Sequence, residues 1–469
     1  MWRHSLPKTT TAPRTGPGWQ PPKTSMRAAL LLILFVCSLP VCFVRPFYGI
    51  LMWTIVAFLN PQSYVWGRNA FPWALAVAVS TIAGLIVFDR NWLPRLISRE
   101  VALICLLWLW FTTTTLISTA SPEFLHHATE TWLKWELVSK ILLMTLVTMA
   151  VVRTAGQLRI LMLVICGCFG LFLLKSLPFV IATGGQDRLY GPSESMIADN
   201  NDFGLALVMT LPMYFFLAQA ESRLWIKRGL GFLGVISVPA IFFTYSRGAL
   251  VGLVAVLLFM LWRSRHRLLL VPVIIVGIVA FTFAPNAWHE RMSFTTGKVL
   301  DLSAQSRLNA WTFCWRLALE HPVTGGGFAT FTRSLFARYS PNAVDVHNSH
   351  SIYFGVLAEH GFPGLLLFCL LIASCFLTAR RVILEARAID DDVAILYARM
   401  LCCSIMGFLV CGAFLSRAYF DYYFALVAAV VILRRVCESD WAAMEGAGMQ
   451  GEETSEDAGE VGMIRPEMS

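Results

Sequence analysis

Apolar runs of roughly membrane-spanning length recur along almost the whole chain. Thirteen of them can be delimited, at 27–44, 46–59, 71–88, 101–119, 137–152, 158–182, 203–219, 229–246, 248–262, 268–284, 352–378, 395–415 and 420–433. A helix needs about 20 mostly apolar residues to cross a bilayer core, which most of these runs approach. The pattern predicts an all-α polytopic membrane protein with 12 or 13 transmembrane helices, because the run 46–59 is short and follows Arg45-Pro46 directly.

The polar intervals divide the chain further. Residues 1–25 are rich in Pro, Thr and Gly and are predicted to be a disordered extension. An N-terminal bundle at 26–284 and C-terminal transmembrane helices at 352–436 flank one long polar loop, 285–351. Within that loop Leu308, Trp311, Trp315 and Leu319 recur at helical spacing, which predicts an amphipathic helix lying against the membrane or the bundle. The acidic, Gly-rich residues 437–469 are predicted to be a disordered tail.

Composition agrees with a membrane protein. Hydrophobic residues make up 57% of the chain and charged residues 14%, and the mean hydropathy is +0.65. The net charge of +8 does not indicate nucleic-acid binding, because the basic residues lie in short loops between apolar runs. Cys314 is the only cysteine in the long loop, which leaves no disulfide framework and no cysteine metal site there.

The distribution of basic residues predicts the orientation. Clusters at 90–99, 153–159, 223–228, 263–267, 380–387 and 434–435 fall on one side when the spans alternate. Short basic loops mark the cytoplasmic side, so that side is predicted to be the cytoplasm. Segments 120–136, 183–202 and the loop 285–351 then lie outside, which predicts a bacterial inner-membrane protein whose active face is periplasmic.

Two arginines on the outer side are candidates for binding an anion. Arg247 stands in TYSRGALVG between two apolar runs, where a charge is costly unless it meets an anion or water. Arg307 begins the amphipathic segment QSRLNAW. The alternatives are snorkelling to lipid headgroups for Arg247 and a solvated loop charge for Arg307. Together the two planar guanidinium groups could clamp a diphosphate.

The sequence HNSH places two histidines directly before an outer-side span. A neutral imidazole of His347 or His350 could accept a proton from an attacking hydroxyl. The same spacing suits a metal pair, but the loop offers no convincing further ligand beyond Asp345 and the distant His321, so we expect no metal. His360, in AEHGFPG, is interpreted as a turn residue.

Two further segments of this side carry weaker signals. Gly326, in the triple glycine 325–327, could present backbone N–H groups to an anion or simply reverse the chain. Asn200 and Asn201 could line a sugar-binding cavity or cap the following helix.

These residues carry a resemblance to a known family. The segments QSRLNAWTFCWRLALEHPVTGGGF and HNSHSIYFGVLAEHGFPGL resemble the core of the O-antigen ligase and polymerase superfamily. The segments RPFYGILMWTIVAFLNPQSYVWG and GPSESMIADNNDFGLALVMTLP are similar to the O-glycosylation ligases associated with exosortase A systems. The resemblance covers roughly Arg27 to Arg435. It implies transfer of a glycan from an undecaprenyl diphosphate carrier to an acceptor hydroxyl on the periplasmic face, without metal or cofactor.

The resemblance also implies roles for single residues. The family's histidine, nine positions before the Glu of its L-A-E-x-G segment, falls on His350, with Glu359 as that Glu and Tyr353 in the expected place. The family's S-R-G arginine falls on Arg247 and its R-x-x-x-W arginine on Arg307. The chain departs from the commonest form because Ser351 follows His350, whereas Asn348 follows His347.

The sequence therefore predicts an inverting, metal-independent glycan ligase. Arg247, Arg307 and His350 are its predicted catalytic residues, and further substrate contacts are predicted at His347, Asn348, Tyr353, Asn200, Asn201 and Gly326. Its predicted partners are the lipid-linked donor, a lipid or protein acceptor and membrane lipids, with no nucleic acid. A polymerase of the same superfamily uses the same chemistry, and an anionic-solute transporter is the alternative from another class. Against transport, the chain lacks an internal repeat of broken spans.

Overall fold

The computed structural model describes residues 26–61, 72–192, 195–263, 267–292 and 302–460. These ranges contain sixteen α-helices and short 3-10 helices, and no β-strand. Thirteen helices hold the apolar runs: α1 Met26–Val44, α2 Pro46–Phe58, α3 Trp73–Phe88, α4 Arg99–Ala120, α5 Ala128–Val151, α6 Ala155–Ala182, α7 Asn200–Ala220, α8 Leu224–Phe243, α9 Arg247–Arg263, α10 Val271–Thr282, α14 Ile352–Ala388, α15 Asp392–Gly412 and α16 Asp421–Glu460. The long loop holds α11 Asn286–Met292, α12 Leu302–Glu320 and α13 Arg333–Tyr339.

The helices have the length and composition of a membrane protein. Six described helices are long and apolar enough to cross a bilayer, namely α4, α6, α7, α8, α14 and α15. The apolar segments of α1, α2, α3, α9 and α10 are shorter. Pro46 begins α2 immediately after α1, and its missing N–H and fixed φ suit the first turn of a helix. The prediction of an all-α polytopic membrane protein is confirmed.

The bundle has two ends with different chemistry. At one, which we call the basic end, Asp89 accepts hydrogen bonds from Arg95 and Arg153, and Glu221 accepts from Arg159. The basic end comprises the loops and helix ends at 89–100, 149–159, 221–223, 378–391 and 434–441. The opposite end, which we call the site end, carries the loop helices α11 to α13. The described basic clusters at 90–99, 153–159 and 434–435 therefore lie at the end of the bundle opposite the loop helices.

Helices α7 and α15 lie at the centre of the bundle and are the most enclosed of the long helices. Helix α9 packs closely on α15 because Gly252 has no side chain. A β-carbon at that position would lie 2.1 Å from the Sγ of Cys411. Burying a helix on all sides requires apolar residues all round, and α7 has them.

Helix α14 is broken near its first third. Gly361 has φ +67° and ψ −170°, which interrupts the helix between His360 and Phe362. His360 itself is fully buried, stacked on Phe111 at 4.1 Å between ring centroids, and its Nδ1 is 2.7 Å from the Thr114 hydroxyl. The interpretation of His360 as a turn residue is therefore wrong. The chain turns at the following glycine, and the imidazole fills the core.

Helix α12 confirms the predicted amphipathic segment and adds a second apolar face. Phe313, Cys314 and Leu317 pack into a small core with α13 and Phe124. The predicted stripe lies on another side of the helix, where Leu308, Trp315 and Leu319 are exposed in the isolated chain. An exposed apolar stripe beside the membrane-spanning bundle suits a helix lying on the bilayer surface.

The acidic tail differs from its prediction in the part that the structure describes. Helix α16 continues through residues 437–460 without a break. Alanine, methionine, glutamine and glutamate are good helix formers, and the transmembrane segment before them supplies a formed nucleus. Disorder was therefore the wrong expectation for these residues. The predicted disordered extension, 1–25, lies outside the described residues.

Candidate functional site

The three predicted catalytic residues lie on three different elements of the site end. Arg247 is the first residue of α9, Arg307 lies in the first half of α12, and His350 stands two residues before α14. Burial and then the charge of Arg247 lower the pKa of Arg307, and burial and then the charge of Arg307 lower the pKa of His350, so the three groups lie within electrostatic reach of one another. The structure thus brings together residues separated by up to 103 positions in the chain.

The turn before Arg247 is held by two neighbouring segments. Asn200 is buried, and its Nδ2 donates to the Thr244 carbonyl at 2.7 Å. Tyr245 has a positive φ of 56°, and its hydroxyl donates to the Gly185 carbonyl at 2.8 Å. The side-chain amide of Asn200 therefore positions the turn before Arg247. Its N–H group binds the main chain of that turn, where a sugar contact was the predicted alternative.

Arg307 has an unsatisfied buried donor. Its Nε–H is buried and makes no hydrogen bond within the described parts of the chain. Burial and, secondly, the positive charge of Arg247 lower the pKa of this guanidinium. A buried donor without an acceptor and a neighbour of like charge both destabilise the folded protein, and an anion bound between the two arginines would relieve both effects.

His350 is held in an uncommon backbone conformation. Its φ is +44°, a left-handed value that costs a non-glycine residue about 1–3 kcal/mol. Three contacts keep it there: its N–H donates to the Ser416 hydroxyl at 2.7 Å, Trp311 Nε1 donates to the Ser349 carbonyl at 2.8 Å, and the Ser349 hydroxyl donates to the Ser351 carbonyl at 2.9 Å. Such strain is typical of functional positions, where surrounding contacts fix a side chain's direction.

The surroundings of His350 favour its neutral form. Burial is the largest effect that lowers its pKa, followed by the charges of Arg307 and His347, while Asp199 opposes them. The pKa therefore lies below the ordinary value of a histidine. A neutral imidazole at neutral pH can accept a proton, which is the property that a general base requires.

His347 connects the site to a polar cavity. Its Nε2 lies 2.8 Å from Asp345 Oδ1, and its ring centroid is 6.4 Å from that of His350. Asn309 of α12 binds this loop by donating to the carbonyls of Asn342 and Asp345 at 2.9 and 3.0 Å. The cavity between α12 and the loop measures about 700 Å³, and its lining includes Gln305, Ser306, Asn309, Thr312, Asn342, Asp345 and His347.

Three other predicted contacts have separate environments. Asn348 is exposed beside His347. Asn201 donates from its backbone and its side chain to Asp199 Oδ1, at 2.8 and 2.9 Å, as part of the N-terminal cap of α7. The Tyr353 hydroxyl donates to the Leu409 carbonyl at 3.3 Å and so points into the bundle. Of these three residues, only Asn348 has an exposed side chain near the histidines, where a solute could contact it.

The triple glycine pairs with the break in α14. The Phe362 N–H donates to the Pro322 carbonyl and Pro363 has no N–H, which frees two helix carbonyls. Gly326 and Gly327 donate to those carbonyls, of Ala358 and Glu359, at 2.9 Å each. The amide of Gly326 is thereby engaged within the protein, which favours the chain-reversal interpretation over anion binding.

One buried ion cluster escaped the sequence analysis. Lys134 Nζ lies 2.5 Å from Glu359 Oε1, and the Tyr419 hydroxyl donates to Glu359 Oε2 at 2.7 Å. Lys134 also lies over the ring of Tyr419 at 5.1 Å. The available signal was a single lysine within WLKWE, at the start of an otherwise apolar helix.

A second missed group comes from the short segment between α15 and α16. Ser416 accepts the hydrogen bond from His350, and Arg417 forms an ion pair with Asp202 of α7. The sequence LSRAYFD interrupts two apolar runs with polar residues, and this was the signal that could have indicated them. Within the described ranges, no three His, Cys, Asp or Glu side chains are grouped so as to hold a metal ion.

Comparison with protein families gives two matches along the chain. Residues 232–369 match the family described as O-Antigen ligase. That range contains Arg247, Arg307 and His350, together with both segments on which the resemblance rests. Residues 26–222 match a family of unknown function, DUF5935. No curated protein matches the chain. The match shows that residues 232–369 are similar to O-antigen ligases, which supports a membrane glycan ligase or polymerase type of function.

Proposed function

We propose that this membrane protein is a glycan ligase that transfers a glycan from an undecaprenyl diphosphate carrier to an acceptor hydroxyl. The observation that carries the proposal is the meeting of Arg247, Arg307 and His350 within the ligase-family domain. Two cations and one neutral base are what a displacement at a sugar diphosphate requires, since the diphosphate is already a good leaving group.

The arginines would bind the diphosphate of the donor. The unsatisfied Nε–H of Arg307 supports this role, because a phosphate oxygen would supply the missing acceptor. Guanidinium groups bind phosphate oxygens through paired hydrogen bonds and keep their charge at any physiological pH. As the bond between the anomeric carbon and the diphosphate oxygen breaks, both charges would neutralise the negative charge on the departing diphosphate.

His350 would activate the acceptor. Its neutral ring takes the proton from the acceptor hydroxyl while that oxygen forms a bond to the anomeric carbon. The attack comes from the face opposite the diphosphate, so one displacement inverts the anomeric configuration. The products are the glycosylated acceptor and undecaprenyl diphosphate, and the proton leaves from His350 to solvent. The strained backbone of His350 supports this role, because the bond of its N–H to Ser416 holds the residue in one conformation.

The polar cavity beside His347 would hold sugar residues. Amide, hydroxyl and carboxylate side chains line it, and these are the groups that hydrogen-bond sugar hydroxyls. The cavity leads to His350 through His347 and the exposed Asn348. On this proposal the site end faces the periplasm and the basic end faces the cytoplasm of a bacterial inner membrane. An association with exosortase A systems, implied by the resemblance of residues 45–67 and 191–212, belongs to the same proposal.

The test is a transfer assay with purified protein and a radiolabelled glycan on undecaprenyl diphosphate, with EDTA present. Wild type should release undecaprenyl diphosphate, and His350→Ala and Arg247→Ala should each transfer at least about a hundredfold more slowly. Label on a protein or lipid acceptor indicates a ligase, whereas long chains on the carrier indicate a polymerase. Activity of His350→Ala equal to wild type would contradict the site assignment.

A further inference from the structure

A second cavity lies at the basic end, far from the candidate site. It measures about 300 Å³, and five arginines line it together with Glu100 and Glu438. The arginines are Arg95, Arg99, Arg381, Arg434 and Arg435. They come from the 89–99 loop, the part of α14 at the basic end and the middle of α16. The cavity therefore opens between three elements at one end of the bundle.

Part of this positive charge is neutralised within the protein. Arg95 pairs with Asp89, and Arg434 pairs with Glu385 and Glu438. Glu100 is buried and accepts hydrogen bonds from the Ser374 and Thr378 hydroxyls. Those contacts account for the carboxylates around the cavity and for two of its five arginines.

Three arginines remain with weaker partners. Arg435 donates to the backbone carbonyls of Arg95, Met149 and Val152. Arg99 lies 3.7 Å from Glu100 and donates to Thr378 at 3.0 Å. Arg381 is exposed and forms no salt bridge within the described residues. Backbone carbonyls and hydroxyls do not cancel a full charge, so the cavity keeps an excess of positive charge that suits a phosphate group.

The rim of the cavity is apolar on the side of the 3-10 helix Leu93–Leu96. Ile97 lines the cavity and is 85% exposed, and Leu93 is 60% exposed. Both side chains lie beside the ends of transmembrane helices, where exposed apolar side chains can insert between lipids. A phosphate in the cavity would therefore be flanked by a surface suited to acyl chains, which favours a lipid over a free anion.

We propose that this cavity binds the phosphate headgroup of an anionic phospholipid. Arg99 and Arg381 supply the charge, the Ser98 hydroxyl can add a hydrogen bond, and Ile97 contacts the first part of the acyl chains. Basic pockets between transmembrane helices are a known mode of binding such headgroups. The proposal is independent of the proposed catalytic function, because no residue of the cavity belongs to the candidate site.

The experiment measures lipid binding to the purified full-length protein in detergent. Phosphatidylglycerol, phosphatidylethanolamine and inorganic phosphate are added separately, and bound lipid is counted by native mass spectrometry beside the thermal unfolding temperature. Phosphatidylglycerol should bind and raise that temperature. Arg99→Gln/Arg381→Gln should bind it about thirtyfold more weakly, as expected for the loss of two arginines at an anionic surface.

The control is Arg380→Gln/Arg387→Gln, which removes the same charge from exposed positions of α14 at the same end of the bundle but outside the cavity. It should retain wild-type binding. Equal loss in both double variants would overturn the proposal in favour of a diffuse basic surface. An equal response to inorganic phosphate would overturn the assignment to a lipid. Arg99→Lys/Arg381→Lys keeps the charge, and its failure to bind any better than the Gln variant would contradict the electrostatic basis.

Discussion

Two groups of charged side chains at the site end differ in how their charges are compensated. Lys134 and Glu359 form a close ion pair, completed by the Tyr419 hydroxyl and the Ala329 N–H. Arg307, in contrast, has a buried Nε–H with no acceptor among the described residues, and its charged neighbour Arg247 repels it. The first group is satisfied within the protein, whereas Arg307 keeps one buried N–H without an acceptor among the described residues.

This difference separates a structural role from a binding role. Complete networks of buried charge hold elements together, and here they join α5, α14 and the segment before α16. Incomplete groups destabilise the folded protein and persist where a ligand completes them. The comparison predicts that substitutions in the complete group change stability, whereas those in the incomplete group change activity.

The largest effect on activity is expected at His350. Replacing it with alanine removes the proposed base and should slow transfer about 10²–10⁴-fold. His350→Asn is the matched variant, because asparagine tolerates the left-handed backbone but cannot act as the base. Both variants should be similarly inactive in the transfer assay while unfolding at or near the wild-type temperature. An active asparagine variant would show that the backbone conformation matters and the imidazole does not.

Arg307→Gln should slow transfer about 10²–10³-fold, as expected for removing a group that stabilises developing negative charge. Arg307→Lys should recover little, because lysine cannot make paired hydrogen bonds to a diphosphate. The unfolding temperature should stay level or rise, since the repulsion between Arg307 and Arg247 is removed. A marked fall in that temperature would mean that Arg307 is a structural residue.

Much of the fold could be predicted from sequence because it depends on a simple physical requirement. Every apolar run lies in a helix, since a chain in lipid must satisfy its backbone groups internally. Residues 437–460 of the predicted tail differ from the expectation of disorder, because an acidic composition describes solvation and not helix propensity, and α16 continues to Glu460. Low hydrophobicity alone did not distinguish a disordered segment from a solvated helix.

Less of the candidate site could be predicted, because its geometry depends on contacts between distant segments. Arg247, Arg307 and His350 were indicated by resemblance and by the cost of charge near a membrane. Ser416 and Trp311 were missed because a hydroxyl and an indole have no sequence signal for the partner they will bind. The sequence left two alternatives for Gly326, an anion site or a chain reversal, because its role depends on carbonyls freed by a break in another helix.

The complete group should respond in the opposite way. Lys134→Met leaves the carboxylate of Glu359, only 1% exposed, without its cation. We expect a loss of about 3 kcal/mol, at the lower end for buried pairs because a third of Lys134 is exposed. Lys134→Met/Glu359→Gln should recover most of this, because no unpaired charge remains. Thermal unfolding of the single and double variants measures the coupling, and additive losses would contradict an interacting pair.

The smallest effect is expected at His347, and it concerns pH. The pKa of His350 is lowered by burial, by Arg307 and by His347, so the base is deprotonated above an already low pKa and activity should fall only at acidic pH. His347→Gln removes one of the charges that lower this pKa, which should therefore rise. The acidic limb of kcat/KM against pH should then move to higher pH, with transfer at pH 8 changed less than about threefold.

Asn348→Ala is the control, since it removes a neutral exposed side chain next to His347 and should leave the limb in place. A limb that does not move in His347→Gln, or moves to lower pH, would show that His350 is not the titrating base.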